Sequence, residues 1–119
     1  MDLATAQAKI DNLMDLQKQG KYEEGGALFE EGAIAELPLM MGTITGKAEI
    51  IKTWEKQDLK GKFEKGETPE VGQLEVTDTP NCFKRLVTQK GTMMNTTLTQ
   101  TYTFSDSGLI SKMSTAAFG

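Results

Sequence analysis

The segment TTLTQTYTF, residues 96–104, alternates between two kinds of side chain. One set is Thr97, Thr99, Thr101 and Thr103, and the other is Leu98, Gln100, Tyr102 and Phe104. Because successive side chains of a strand point to opposite faces, this pattern predicts a strand with one mainly apolar face. The apolar face requires a covering layer, which helices can supply. The threonine face is expected to meet water or a second subunit.

Three other segments of the C-terminal half are rich in strand-forming residues. They are VGQLEVTD at 71–78, NCFKRLVTQ at 81–89 and LISKMSTAAF at 109–118. Turn-forming residues such as Pro80, Gly91 and Gly108 separate these segments from one another and from residues 96–104. We therefore predict that Val71–Phe118 forms a mainly antiparallel meander.

The N-terminal half has helical periodicity instead. Apolar residues recur at helical spacing over Leu3–Gln19, with Asp2 as the N-cap and Gly20 as the terminating residue. A second helix is predicted over Tyr22–Glu31 and a third over Lys47–Gln57. Together with the meander, these helices predict one α+β domain covering residues 1–119, in which the helices pack on a curved sheet.

Glycine and proline leave two points open in this half. Gly25 and Gly26 lie inside the second predicted helix, so either another element packs closely there or the helix is short and weak. Pro38 closes a short strand predicted at Ala33–Leu37. Since proline cannot donate to a sheet ladder, we expect that strand to be an edge or terminating strand.

The segment Leu59–Glu70, LKGKFEKGETPE, combines glycines, a proline and alternating charges. It is typical of a solvated connecting loop. The alternative is a lid over a pocket, with Phe63 as its only large apolar side chain.

An order of glycine, aromatic and proline positions that is shared with a known superfamily extends from Gly20 to Trp54. Residues 21–54 read KYEEGGALFEEGAIAELPLMMGTITGKAEIIKTW. The matching positions are Gly20-Lys21, Leu28-Phe29, Ala33, Pro38, Gly46, Ile50 and Trp54. This order resembles the nuclear transport factor 2-like superfamily, which includes SnoaL-like polyketide cyclases and ketosteroid isomerases. The resemblance implies a cone-shaped domain, a cystatin-like α+β barrel, with a pocket at its open end.

The same resemblance implies where catalytic groups would stand, and this chain departs from each pattern. Leu37 occupies the position of the ketosteroid isomerase base, and Leu13 lies near the position of its tyrosine donor. Arg85, the sole arginine, has no neighbouring carboxylate to form the Asp-Arg-Asp set of limonene-epoxide-hydrolase-like members. The histidines of scytalone-dehydratase-like members are absent. We therefore expect no ketosteroid isomerisation.

Composition excludes several classes of function. With no histidine and only Cys82, zinc sites and Ser-His-Asp arrangements have no support, so we expect no metal and no cofactor. The net charge of −4 argues against nucleic acid as a partner. No apolar run approaches the roughly 20 residues that span a bilayer. The N-terminal sequence MDLATAQAKI lacks a signal-peptide pattern, so we expect a cytoplasmic protein.

Glu36 is the candidate acid or base. Strand alternation places Ile34 and Glu36 opposite Ala33 and Ala35. If the Glu36 face points inward, burial would raise the pKa of the carboxyl group and suit it to acid–base chemistry. The alternative is an ordinary solvent-facing glutamate.

Any pocket should lie between the helices and the concave sheet face. Periodicity predicts that its wall contains Met14, Trp54, Leu98, Gln100 and Tyr102. The competing interpretation is that these side chains only fill the core.

Three functions remain open. The first is a binding domain for a small hydrophobic molecule without a recognised catalytic set. The second is an isomerase, cyclase or dehydratase acting through Glu36 with Tyr102 or Gln100. The third is a dimerisation or protein-interaction module, since the threonine face also predicts a homodimer.

Overall fold

The structure of the chain, a computed structural model, describes residues 1–38, 42–91 and 93–116. The helices are α1 (Leu3–Lys18), α2 (Tyr22–Gly26), α3 (Lys47–Gln57) and α4 (Leu59–Glu64). The strands are β1 (Phe29–Glu36), β2 (Thr43–Thr45), β3 (Glu70–Val71), β4 (Glu75–Val76), β5 (Cys82–Gln89), β6 (Thr96–Phe104) and β7 (Ile110–Ala116). The predicted α+β class is confirmed.

All seven strands belong to one curved sheet, in the order β2-β1-β7-β6-β5-β3, with β4 also paired to β5. The β5–β6 and β6–β7 pairs are antiparallel, as the meander prediction required, and β1 pairs with β7 in parallel. Within the described ranges the sheet does not close into a barrel, because β2 and β3 end its strand order. The predicted strand 71–78 is in fact two short strands, and the predicted end of the last strand at Phe118 lies outside the described residues.

The capping residues predicted for α1, Asp2 and Gly20, are those observed in the structure. The Asp2 side chain accepts a hydrogen bond from the Thr5 backbone N–H at 2.7 Å. At the other end, Gly20 has φ +75°, and the Lys21 N–H donates to the Leu16 carbonyl at 2.9 Å. This left-handed residue and the long backward bond form a Schellman motif, which ends the helix.

The structure corrects two predictions around β1. The helix predicted over Tyr22–Glu31 ends at Gly26, because the paired glycines weaken it and the chain enters β1 at Phe29. The strand predicted at Ala33–Leu37 as an edge or terminating strand is the C-terminal end of β1, which lies inside the sheet between β2 and β7. Pro38 does not prevent this pairing because it lies beyond Glu36, the last residue of the ladder.

The solvated loop predicted over Leu59–Glu70 is also wrong. Its first half is α4, which begins after Asp58, a left-handed residue at φ +48°. The Asp58 side chain accepts a hydrogen bond from the Gly61 N–H at 3.3 Å and so caps the new helix. The interior glycine, which suggested a loop, therefore lies within the first turn of a short helix.

The hydrophobic core lies between the helices and the concave face of the sheet. Trp54 of α3 contacts Phe29 edge to face, with ring centroids 5.6 Å apart, and Tyr22 at 6.3 Å. Gly25 and Gly26 are both buried against α3. A Cβ added at Gly25 would lie 3.3 Å from the Trp54 ring. The paired glycines therefore fit both interpretations, because α2 is short and α3 packs closely on it.

No described helix is both long enough and apolar enough to cross a membrane. The cytoplasmic location expected from the N-terminal sequence stays a prediction.

Gly26→Val should destabilise the fold by about 1–3 kcal/mol, the usual cost of overpacking a core. A Cβ at Gly26 would lie 2.7 Å from Ile51 Cγ1 and closer still to Cδ1, so the buried Ile51 side chain or the helices that carry these residues must shift. The matched control is Gly32→Val in β1, where no atom lies within 4 Å of an added Cβ. Urea unfolding of both variants measures the difference, and equal stabilities would show that α2 does not depend on this close contact.

Candidate functional site

A cavity of about 200 Å³ lies between α1, α3 and the sheet. Most of its wall is apolar, with contributions from Leu13 of α1, Trp54 of α3 and Phe29 of β1. The polar groups on the sheet side are Arg85 of β5 and Gln100 of β6, together with the Tyr102 hydroxyl. The wall of the cavity is therefore mainly apolar, with a polar cluster on the sheet side and single polar residues elsewhere, namely Gln17, Gln57 and Thr68.

Four of the five residues expected at the pocket line this cavity. They are Met14, Trp54, Gln100 and Tyr102. Leu98 is buried in the sheet but does not form part of the wall. Trp54 is both a core residue and a wall residue, so the two alternatives considered for it are not exclusive. A ligand-binding role for these side chains stays a prediction.

The outer wall comes from α4 and the segment that follows it. Leu59 and Phe63 of α4 contribute apolar groups, and Thr68 and Pro69 continue the wall. The Lys18 ammonium lies 5.6 Å from the centroid of the Phe63 ring, which ties α4 to α1. This segment therefore forms part of the cavity wall, and the lid alternative for it stays a prediction.

Arg85 is the residue that sequence reasoning missed. Its side chain is buried, with the residue only 5% exposed. Nε donates to Gln100 Oε1 at 2.7 Å, and one terminal nitrogen donates to the Tyr102 hydroxyl at 3.1 Å. The other terminal nitrogen lies 3.4 Å from Met14 Sδ. The guanidinium is thus fixed by three contacts, none of them to a carboxylate.

A sequence signal for Arg85 was present in β5. The segment CFKRLVTQ alternates, so Phe83, Arg85 and Val87 share one face and Lys84 and Leu86 share the other. The burial of β5 follows this alternation, because Phe83, Arg85 and Val87 are buried whereas Lys84 and Leu86 are exposed. An arginine flanked by Phe83 and Val87 two positions away is therefore predicted to point inward with them.

Tyr102 is held as a neutral phenol. Burial raises the pKa of the Tyr102 hydroxyl above its usual value of 10.0, and the nearby Arg85 charge only partly opposes that effect. The Arg85 guanidinium also lies 5.4 Å from the centroid of the Tyr102 ring, a cation–π distance. At neutral pH the phenol accepts one hydrogen bond and keeps its own proton to donate.

Glu36 lies on the other face of the sheet. Its carboxylate pairs with Lys112 at 2.9 Å, and both side chains are about half exposed. The hydrogen bond from Lys112 and its charge lower the pKa of the Glu36 carboxyl group. The acid–base hypothesis required an inward side chain with a raised pKa, and the structure shows the opposite on both points.

Groups of acidic or cysteine side chains that could hold a metal ion are absent from the described ranges.

Comparison with solved structures identifies the fold. A cystatin-fold protein from Novosphingobium aromaticivorans, described as NTF2-like, superposes with a TM-score of 0.66 at 15% identity, over 97% of this chain and 80% of that chain. The chain has the NTF2-like, cystatin-like fold. The resemblance drawn from residues 21–54 is therefore confirmed at the level of fold.

A second solved structure that superposes on this chain is that of SalBIII. It is described as an epoxide hydrolase/cyclase-like enzyme in pyran ring formation in the polyether salinomycin. It superposes with a TM-score of 0.69 at 13% identity, over 92% of this chain and 87% of that chain. No protein-family model matches the sequence, and no curated protein matches it significantly. The superpositions establish the fold. At identities this low they do not establish a function, which must be argued from the residues of the cavity.

Tyr102→Phe should cost about 1–3 kcal/mol at neutral pH, because it leaves a buried Arg85 donor unpaired. This cost should shrink in alkali. The folded protein holds the Tyr102 proton more tightly than the unfolded chain, so the stabilisation is complete below the usual pKa of 10.0 and is lost as pH rises through the folded value. Urea unfolding of both proteins from neutral pH into alkali tests this. A difference that does not change with pH would contradict the buried neutral phenol.

Proposed function

We propose that this chain binds a small hydrophobic molecule in the cavity beneath α4. The observation that carries the proposal is the cavity itself, about 200 Å³ in volume, with an apolar wall and one polar cluster. Small-molecule sites typically combine apolar walls with a few converging polar groups that orient the ligand. Arg85, Gln100 and Tyr102 are the groups that would orient it here.

The composition of the wall favours binding over acid–base catalysis. A general base must come within hydrogen-bond reach of the proton that it removes. Among the wall residues that the structure describes, none carries a carboxylate, imidazole or thiol. The neighbour SalBIII is described as cyclase-like, but that description reaches this chain only through the shared fold. The binding proposal therefore needs no chemistry that the wall lacks.

Val87→Phe should weaken binding of the neutral fluorescent probe N-phenylnaphthylamine by about tenfold or more. Val87 lines the cavity, so the larger ring would occupy space that the ligand needs. Leu86→Phe is the matched control, because the neighbouring Leu86 is 57% exposed on the outer face of β5. Probe fluorescence titrations, with melting curves to verify folding, provide the measurement.

A second blocking variant guards against misfolding of Val87→Phe. Thr68→Phe adds the same ring at the half-buried outer wall, away from the packed sheet. If the wild-type protein does not bind the probe, or if the two blocking variants bind it as tightly as Leu86→Phe does, the cavity is not the binding site.

We also propose a homodimer that forms through the outer face of β5, β6 and β7. The threonine face of β6 lies on this side, as the alternation predicted. Leu86 stands opposite Thr99 in the register and is 57% exposed, which places a large apolar side chain beside the threonines. Exposed apolar side chains on a broad sheet suit a self-complementary contact between two copies of the same chain.

Leu86→Glu should shift the protein from dimer to monomer, because two such carboxylates would repel each other across a two-fold axis. Sedimentation at tens of micromolar, roughly where weak interfaces still associate, measures the mass against the 13.0 kDa chain. A wild-type protein that sediments only as a monomer would refute the dimer. The control Lys60→Glu changes a charge on α4, which contacts α1 and α3 on the cavity side of the sheet.

A further inference from the structure

We propose that the ligand of the cavity is an apolar carboxylate whose anionic group binds Arg85. This inference rests on the proposed binding function and adds the chemical class of the ligand. It follows from three features of the cavity: a positive charge without a carboxylate partner, a set of donors of which several meet only weak acceptors, and a wall that is mainly apolar.

The first feature is the charge. An arginine side chain stays positively charged in proteins, and burying a charge is costly unless an opposite charge pairs with it. Arg85 is only 5% exposed. No Asp or Glu is among its partners in the part of the chain that the structure describes, and none lines the cavity. Arg85 is also the only charged side chain on the described wall, so a bound anion would complete the missing pair.

The second feature is the set of donors. A guanidinium has five N–H groups, and Arg85 directs only three of them to side chains. One of the three meets Met14 Sδ at 3.4 Å, and the amide nitrogen of Gln100 meets Met113 Sδ at 3.7 Å. Thioether sulfur is a weak acceptor, which a carboxylate oxygen would replace readily.

The Tyr102 hydroxyl adds a further donor. It accepts a hydrogen bond from Arg85 at 3.1 Å, and no acceptor in the described structure takes its own proton. Arg85, Gln100 and Tyr102 therefore form one cluster in which several N–H and O–H donors meet a thioether sulfur or no acceptor among the described residues. A carboxylate, which has two oxygens and accepts from a guanidinium in a bidentate manner, matches such a cluster.

The third feature is the rest of the wall. Leu13, Phe29, Trp54 and Phe63 surround the polar cluster with apolar groups. An apolar environment strengthens an ion pair relative to water, and the same wall favours a ligand with a hydrophobic body. A small hydrophilic anion such as inorganic phosphate gains little from these contacts. The class that fits is therefore a monocarboxylic acid with an aromatic or aliphatic body.

The test compares trans-cinnamate with the neutral cinnamamide as competitors of bound N-phenylnaphthylamine at neutral pH. The two competitors share their shape and differ in charge. In the wild-type protein, cinnamate should displace the probe at about a tenfold lower concentration than cinnamamide does. In Arg85→Gln this preference should disappear. In the control Lys84→Gln, which removes a positive charge from the outer face of β5, the preference should remain.

Each failure has a separate meaning. If the wild-type protein binds the probe but cinnamate and cinnamamide displace it equally, the carboxylate inference is overturned and the binding function stands. A preference that persists in Arg85→Gln overturns the role of Arg85. If the probe does not bind at all, both proposals fall. Should Arg85→Gln not fold, Arg85→Met provides the second variant, since an apolar side chain of similar length removes the charge from the same space.

Discussion

The pairing register between β5 and β6 determines which side chains of these strands face the hydrophobic core and the cavity. Arg85 stands directly opposite Gln100, and Phe83 stands opposite Tyr102, so the guanidinium and its two oxygen partners lie on the concave face. Side chains alternate with a period of two, so a slip of one residue would turn Arg85 toward solvent and bring the outer residues into the core. The core and the polar cluster therefore depend on the same register. A substitution that stabilises the observed β5–β6 register therefore also fixes the position of the Arg85 guanidinium.

Arg85 is difficult to explain as a residue that only stabilises the fold. Buried ion pairs are weak evidence for stability even when both partners are present, and Arg85 has no acidic partner among the described residues. A leucine or methionine at this position would fill the space without the cost of removing a charge from water. The hydrogen bond to Gln100 and the stacking on Tyr102 offset part of this cost and hold the guanidinium in one orientation. A fixed charge held in this way is preorganised for an anion.

The sequence predicted the fold more completely than the site. Periodicity and capping identified α1, α3 and the β5–β6–β7 meander, because each of these elements is long enough for its pattern to be read. The misplaced segments around α2 and α4 contain glycines, whose effect depends on tertiary contacts. Gly26 is part of a short helix packed on Ile51, and Gly61 lies in a helix capped by Asp58. Such contacts join residues far apart or depend on a left-handed backbone, and local propensity does not encode either.

The site also combines features that the local sequence predicts with features that depend on tertiary contacts. The alternation of β6 alone predicts that Tyr102 and Gln100 face inward, but it does not predict which residue pairs with Gln100. The actual partner, Arg85, lies on the adjacent strand, and only the cross-strand register reveals it. Glu36 lies outside the cavity because the alternation of β1 buries Ala33 and Ala35 and turns the Glu36 carboxylate outward to Lys112. The cavity thus keeps a positive charge, while the candidate negative charge lies outside it. That separation favours a ligand that brings its own anionic group over a reaction that uses a protein carboxylate as the base.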